Sequence, residues 1–411
     1  MSAARLTSPQ SVRNVGQRTS HAALSRDVSR TPAPAVRSRS GRLDAIVVPA
    51  SRPASCLKPA IRLSAQLGVQ LVVLCSKQTK REQVAERVSA SPGARALIVE
   101  IPDGWSHSEF PTQTSHEVFK RANANRDSDL SAKRNVGLLL ARLHGWNKII
   151  FLDDDVTLSR TDNVARLAGQ LDRYQVAGMI LGEYPDNSVV CHARRDAGLP
   201  QGIFLTGAVL GVHCNNLPLS FFPDIYNEDW FFFAREAASR ELRGVGHATQ
   251  LEYDPYASPD RARSEEFGDL LAEGLFALMG EVDPSVPYRE QLGAATVPYW
   301  SQFIDARQNV ITQTMNLLSV ALERNGDNGR GSAALASLAA AQDQLHRITP
   351  FDCVDFVDAW QDDLEDWQRF SSCVNNVGST RDAMDFLQLS TWSRAEFGDA
   401  ASKSASTSEW L

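Results

Sequence analysis

No C-x-x-C pair occurs in this chain. Its six cysteines (Cys56, Cys75, Cys191, Cys214, Cys353 and Cys373) are scattered. That argues against a structural zinc site and against a dense disulfide scaffold, and makes reduced thiols in a cytoplasm the expectation. A basic excess is missing too. Lys and Arg number 42 against 49 Asp and Glu, a formal charge of −7, so no basic field invites nucleic acid. No apolar run reaches the ~20 residues that a bilayer span requires; GIFLTGAVLGV (202–212) stops well short. Internal repeats are absent. What is present is 411 residues, 43% hydrophobic and 22% charged. Such a composition belongs to a soluble globular chain of roughly two domains.

Residues 1–42 carry eight arginines against one acid, Asp27, with frequent serine and no apolar periodicity. This composition predicts a disordered tail, although it also resembles an organelle transit peptide. From Leu43 onward, buried-strand and helix patterns alternate. DAIVVPASRP (44–53) reads as a strand stopped by Pro49 and followed by a loop, then a helix to Leu67. QLVVLCS (70–76) and ARALIVEIP (94–102) read as strands around a helix at 81–90. The alternation predicts an α/β fold with a parallel sheet and helices on its faces. Residues 103–130 are polar and irregular, which predicts a mobile loop. SAKRNVGLLLARLHGW (131–146) predicts a helix capped by Ser131 and ended at Gly145. After about Pro259, four segments at 261–279, 301–324, 333–348 and 354–370 carry helical spacing. The expected organisation is a tail at 1–42, an α/β domain at 43–258, an all-helical region at 259–399 and a frayed end at 400–411.

One stretch stands out. KIIFLDDDVTLSR (148–160) drives a buried strand into three adjacent aspartates, Asp153, Asp154 and Asp155. Close carboxylates repel, so either a cation sits among them or the strand end is well solvated. If the strand persists, Asp153 and Asp155 point one way, and a D-x-D pair with hard oxygen ligands suits Mn²⁺ or Mg²⁺. In open α/β sheets, ligands bind beyond the carboxyl ends of the strands, where this tip falls. Ser51 and Arg52 lie in the loop after the first strand, and Lys133, Arg134 and Asn135 open the helix before the acidic strand. They are donors and cations suited to phosphate oxygens; taken singly, the two helix cations read rather as a solvated face.

Further on, Glu228 and Asp229 sit among aromatic clusters in FFPDIYNEDWFFFARE (221–236). They read either as the cap of the next helix or as a general base favoured by apolar neighbours. His247 follows one helix later, a surface or hydrogen-bonded residue or a further metal ligand.

In this order, DAIVVPASRP, SAKRNVGLLLA, FLDDDV and TGAVLGVHCNNLPLSFFPDIYNED resemble the motifs of GT-A fold glycosyltransferases, family 2 above all, over about 44–256. The resemblance implies a Rossmann-like mixed sheet with helices on both faces. It implies a donor nucleotide served by Pro49, Ser51, Arg52, Lys133, Arg134, Asn135, Asp153 and Asp154. It also implies Mn²⁺ or Mg²⁺ on Asp153, Asp155 and His247, and catalysis by Asp229 beside Glu228. The family's acceptor-side Q-x-x-R-W segment is not evident, and the helical remainder is not standard.

The leading expectation is therefore a metal-dependent, inverting glycosyltransferase that takes a nucleotide-diphospho-sugar, has an unidentified acceptor, and has a helical region that offers one surface for self-association. Two rivals stand beside it. DDDVT (153–157) fits the nucleophile motif of haloacid-dehalogenase-type phosphatases, with Asp153 forming an aspartyl phosphate. A non-catalytic nucleotide-sugar-binding protein would keep the same cleft.

Overall fold

The computed structural model describes residues 21–35, 38–110, 112–182, 187–200, 202, 204–215, 218–326 and 329–399. Ten strands are present among them. In chain order they are β1 (Ser25–Asp27), β2 (Ala45–Ala50), β3 (Gln70–Cys75), β4 (Arg95–Glu100), β5 (Lys148–Leu152), β6 (Val156–Thr157), β7 (Val176–Leu181), β8 (Leu205–His213), β9 (Leu242–Gln250) and β10 (Trp392–Glu396). Nine of them line up as β1-β9-β7-β8-β5-β2-β3-β4-β10, and β6 pairs with β9 off that path. The block β5-β2-β3-β4 is parallel, as is β1-β9-β7, while β8 runs antiparallel to both neighbours.

Every residue of β2 and β5 is buried, as the near-continuous apolar runs of doubly covered strands require. Alternate side chains then supply two cores. Val47, Val72 and Val99 face one; Ile46, Val73 and Ile98 face the other. Helices α1 (Lys58–Leu67), α2 (Arg81–Ser89) and α5 (Thr161–Gln170) cover the second face. The short α3 (Glu117–Lys120) and α4 (Leu130–Leu143) cover the first. There the sheet and α4 come so close that a Cβ on Gly137 would lie 2.7 Å from the Phe151 ring.

The remaining helices are α6 (Val189–Asp196), α7 (Glu228–Phe232), α8 (Ala234–Ala238), α9 (Pro259–Glu281), α10 (Tyr288–Gly293), α11 (Val297–Asn325), α12 (Arg330–Leu345), α13 (Pro350–Cys373) and α14 (Thr380–Phe386). Side chains of α9, α11, α12 and α13 share one continuous core with α4 and β5. Among the described residues no helix is long and apolar enough to cross a membrane.

Several expectations change here. Pro49 does not stop the first strand; it sits inside β2 opposite Leu74. Pairing of β2 with β5 ends at Val47, so Pro49 lies beyond that ladder, where a missing N–H costs little. The predicted tail is ordered from His21 to Asp27. Leu24 and His21 are fully buried, and β1 extends β9 in parallel register. A composition averaged over 42 residues hides this short apolar anchor. Residues 1–20, 36–37 and 400–411 of the expected tails lie outside the described residues. The C-terminal region is not all helix, because β10 pairs antiparallel with β4 along the sheet edge.

The polar stretch 103–130 is not loose. Asp363 of α13 accepts from the amides of Gln113 (2.6 Å) and Thr114 (2.9 Å) and from the Thr114 hydroxyl (2.7 Å). Phe110 and Phe119 are buried beneath that latch. The acidic pair Glu228 and Asp229 opens the first of two short helices, α7 and α8. Ser131 does not cap α4: the cap position is Asp129, and the Ser131 hydroxyl donates to the Pro223 carbonyl (2.8 Å).

Burial pushes the half-buried Glu236 of α8 up to about 7 from its ordinary 4.5. The folded chain therefore holds a proton that the unfolded chain releases between pH 4.5 and 7, so stability declines as pH rises through that window. Glu236→Gln should remove this decline. Melting temperatures of both proteins at pH 5, 6 and 7.5 should converge at the acid end and separate at the neutral end, with the variant higher.

Candidate functional site

The order of strand connection reverses at β2: β3 lies on one side of it and β5 on the other. At such a reversal the loops leaving the two strands part and open a crevice at their carboxyl ends. The loop after β2 carries Ser51 and Arg52; the loop after β5 carries the three aspartates. Asp154 accepts from the amides of Ser51 and Arg52, both at 2.9 Å. The Arg52 guanidinium also bridges Asp154 and Asp155, the latter at 2.8 Å. Burial disfavours the charge on Arg52, but Asp155 and Asp154 more than compensate and raise its pKa. Nearly half of the Arg52 side chain remains exposed (47%).

The three carboxylates do not share one direction. The strand ends at Leu152, although the Asp153 amide still reaches the Ala208 carbonyl (3.0 Å), and the chain then turns, with the Val156 amide on the Asp153 carbonyl (3.1 Å). The turn breaks the alternation that a persisting strand would impose. Asp154 folds back to the β2 loop, and Asp155 accepts from Gln250 of β9 (3.1 Å). Asp153 faces a pocket together with Asp229 and Asp269.

Arg134 ties this pocket together. Its side chain is almost wholly buried, and it pairs with Asp153 (3.0 Å) and with Glu228. Burial opposes its charge, but Asp153, Glu228 and Asp229 outweigh that and hold its pKa above the ordinary arginine value. Two chain segments that lie far apart in sequence, the β5 tip and α7, thus meet on one cation from α4. Asp229 accepts from the Gly207 amide of β8 and from the Trp230 amide (3.0 Å). These two bonds fix its carboxylate at the pocket wall.

Other residues read as donor ligands turn out to be internal. Pro49 is buried within β2. Lys133 is 1% exposed; its ammonium reaches the Ala50 carbonyl (2.9 Å), the Ser76 hydroxyl (2.6 Å) and Asp129 (3.1 Å). Burial lowers its pKa and Asp129 opposes that shift. It therefore props the β2 and β3 ends from below. Asn135 donates to the Phe222 carbonyl and accepts from the Phe222 amide, so it shapes the loop before α7. Ser51 contributes its amide to Asp154.

A divalent ion on Asp153, Asp155 and His247 does not fit this arrangement. Asp155 and Asp153 are engaged by different guanidinium groups. His247 is exposed on β9, opposite Ile180 in the register, and the charge it bears upon is that of Asp27. Among the described residues no group of three or more His, Cys, Asp or Glu side chains is set to hold a metal ion.

Sequence reasoning did not single out Gly207 or Asp269. A Cβ on Gly207 would lie 2.5 Å from Arg134 Nη1 and 2.8 Å from Asp229 Cβ, so only glycine lets the two side chains meet over β8.

Gly207→Ala should displace Arg134 and cost on the order of 3 kcal/mol, as a disrupted buried pair does. Gly293→Ala, where nothing lies within 4 Å, should leave stability unchanged. Chemical denaturation of both variants checks this contrast. No family model and no curated protein matches the sequence. Among solved structures, the mannosyltransferase PcManGT from Pyrobaculum calidifontis, in complex with GDP-Man and Mn²⁺, is similar at 13% identity. The match covers 85% of this chain and 91% of that one, with a TM-score of 0.41, a likeness too distant to assign a fold family or an activity here.

Proposed function

We propose that the cleft transfers a sugar from a nucleotide-diphospho-sugar to an acceptor hydroxyl. The observation that carries this reading is convergence. Four separate motifs, from the β2 loop, α4, the β5 tip and α7, meet at one strand-order reversal, joined through Arg52 and Arg134. A half-exposed guanidinium, Arg52, on the acidic tip and a fixed carboxylate, Asp229, on the pocket wall are the two charges that such a transfer uses.

In this scheme the donor diphosphate lies against Arg52. Arg134, paired with Asp153 and Glu228, orients those two carboxylates. The Asp229 carboxylate takes the proton of the acceptor hydroxyl as that oxygen attacks the anomeric carbon. The bond from the anomeric carbon to the phosphate oxygen breaks, and its electron pair leaves with the nucleoside diphosphate. Arg52 faces the negative charge that gathers there. Attack from the side opposite the leaving group inverts the anomeric centre.

Calorimetry with a panel of nucleotide-sugars, followed by a transfer assay with the best binder, tests the proposal. Asp229→Asn should lower transfer about 10²–10⁴-fold, the usual worth of a positioned base, with donor affinity little changed. Arg52→Ala should weaken donor binding about tenfold, the loss of one charge-assisted contact. Transfer that survives Asp229→Asn, or a panel in which no nucleotide-sugar binds, overturns the reading.

A further inference from the structure

We infer that Arg307, on α11 in the C-terminal helices, is a positioning residue for the acidic pair, acting through Asp269 and Asn227. The inference rests on the proposed role of Asp229, but the link itself is read from packing.

The chain of contacts begins on α9, where Glu266, Asp269 and Glu273 lie along one helix face at a spacing of three and then four. All three face the Arg307 guanidinium, whose side chain is 2% exposed. Arg307 Nε and Nη2 meet the two Glu266 oxygens (both 2.9 Å), Nη1 meets Glu273 (2.9 Å), and Nη2 also meets Asp269 Oδ2 (2.6 Å). The fork on Glu266 sets the plane of the guanidinium, and that plane sets Asp269. The other Asp269 oxygen accepts from Asn227 Nδ2 (3.0 Å).

Asn227 is the residue on which α7 begins. Its backbone is left-handed (φ 61°, ψ 34°), a conformation that asparagine tolerates better than most residues. Glu228 and Asp229 follow directly, so the rotation of Asn227 sets the direction of both carboxylates. A second contact holds the same turn. A Cβ on Gly268 would lie 2.3 Å from the Tyr226 carbonyl oxygen, so α9 presses directly on the backbone just before Asn227. Helix α9 thus grips this turn with one glycine and one carboxylate, and Arg307 of α11 holds that carboxylate in place.

The test exchanges the two ends of the link in the full chain. Asn227→Asp places a carboxylate against Asp269. The pair Asn227→Asp with Asp269→Asn restores the hydrogen bond with donor and acceptor reversed. Arg307→Lys keeps the charge and removes the fork. Native-state hydrogen exchange at the Gly207 and Trp230 amides, which Asp229 holds, reports the position of that carboxylate without reference to catalysis; amides of β2 to β4 report the intact fold.

Asn227→Asp and Arg307→Lys should both lose protection at Gly207 and Trp230 while β2 to β4 stay protected, and the paired exchange should restore it. In the transfer assay, Asn227→Asp should lower kcat about 10²-fold, the cost of a misplaced reacting group. Donor KM should stay near its starting value, and the pair should regain most of the loss. If protection at the two amides is unchanged in either single variant, or is not regained by the pair, the inference is overturned. If protection follows the expected pattern while kcat does not, Arg307 positions Asp229 as inferred and the assignment of Asp229 as base is what fails.

Discussion

The guanidinium of Arg134 lies beneath the strand-order reversal, almost without access to water, and binds one carboxylate from the β5 tip and one from α7. Each of these charges would be costly in that environment by itself. Removing one partner from a buried pair typically costs ~3–5 kcal/mol because the other charge remains. The pocket wall therefore holds its shape through mutual dependence: Asp153 and Glu228 need Arg134, and Arg134 needs the open space that Gly207 leaves above β8. Phe222 adds a further restraint, with its ring 5.5 Å below the guanidinium carbon and stacked on Phe232 at 4.1 Å. With Arg134 committed to architecture, Arg52 in the β2 loop keeps about half of its side chain exposed, and Arg126 lines the pocket.

The C-terminal helices are part of this construction. The core that α9, α11, α12 and α13 share with α4 and β5 is continuous, and Asp269 of α9 stands on the same pocket wall as Asp153 and Asp229. A division into a catalytic half and a helical appendix does not describe the packing. The latch from Asp363 to residues 113 and 114 makes the same point, since a segment before α4 is held by a residue of α13.

Much of this was legible in the sequence. Fully buried strands show as unbroken apolar runs, and so β2, β3, β4 and β5 could be read directly, as could the long helices with their periodic stripes. The acidic tip and the E-D pair stood out because charge next to such runs is unusual. What stayed hidden depends on contacts remote in sequence. Whether Asp153 or Asp154 faces the cleft is decided by a turn that closes on the β2 loop. Lys133 looks like a phosphate ligand until the β3 end covers it. His247 is exposed on β9, which β7 and β8 separate from β5. The segment 103–130 looks loose because its anchor, Asp363, is about 250 residues away. Asp269 and Arg307 left a faint trace, an acidic row at 266, 269 and 273 on a helix otherwise rich in buried apolar residues, a pattern that calls for a buried cation.

The two outermost positions of the sheet are taken by β1 and β10, the first and last strands in chain order among the described residues. During synthesis β1 must wait for β9, more than two hundred residues later, and β4 keeps a bare row of amides and carbonyls until β10 emerges. Bare strand edges are templates for pairing with other chains. A chain shortened before Trp392 would leave the β4 edge open as an adhesive border that β10 otherwise covers.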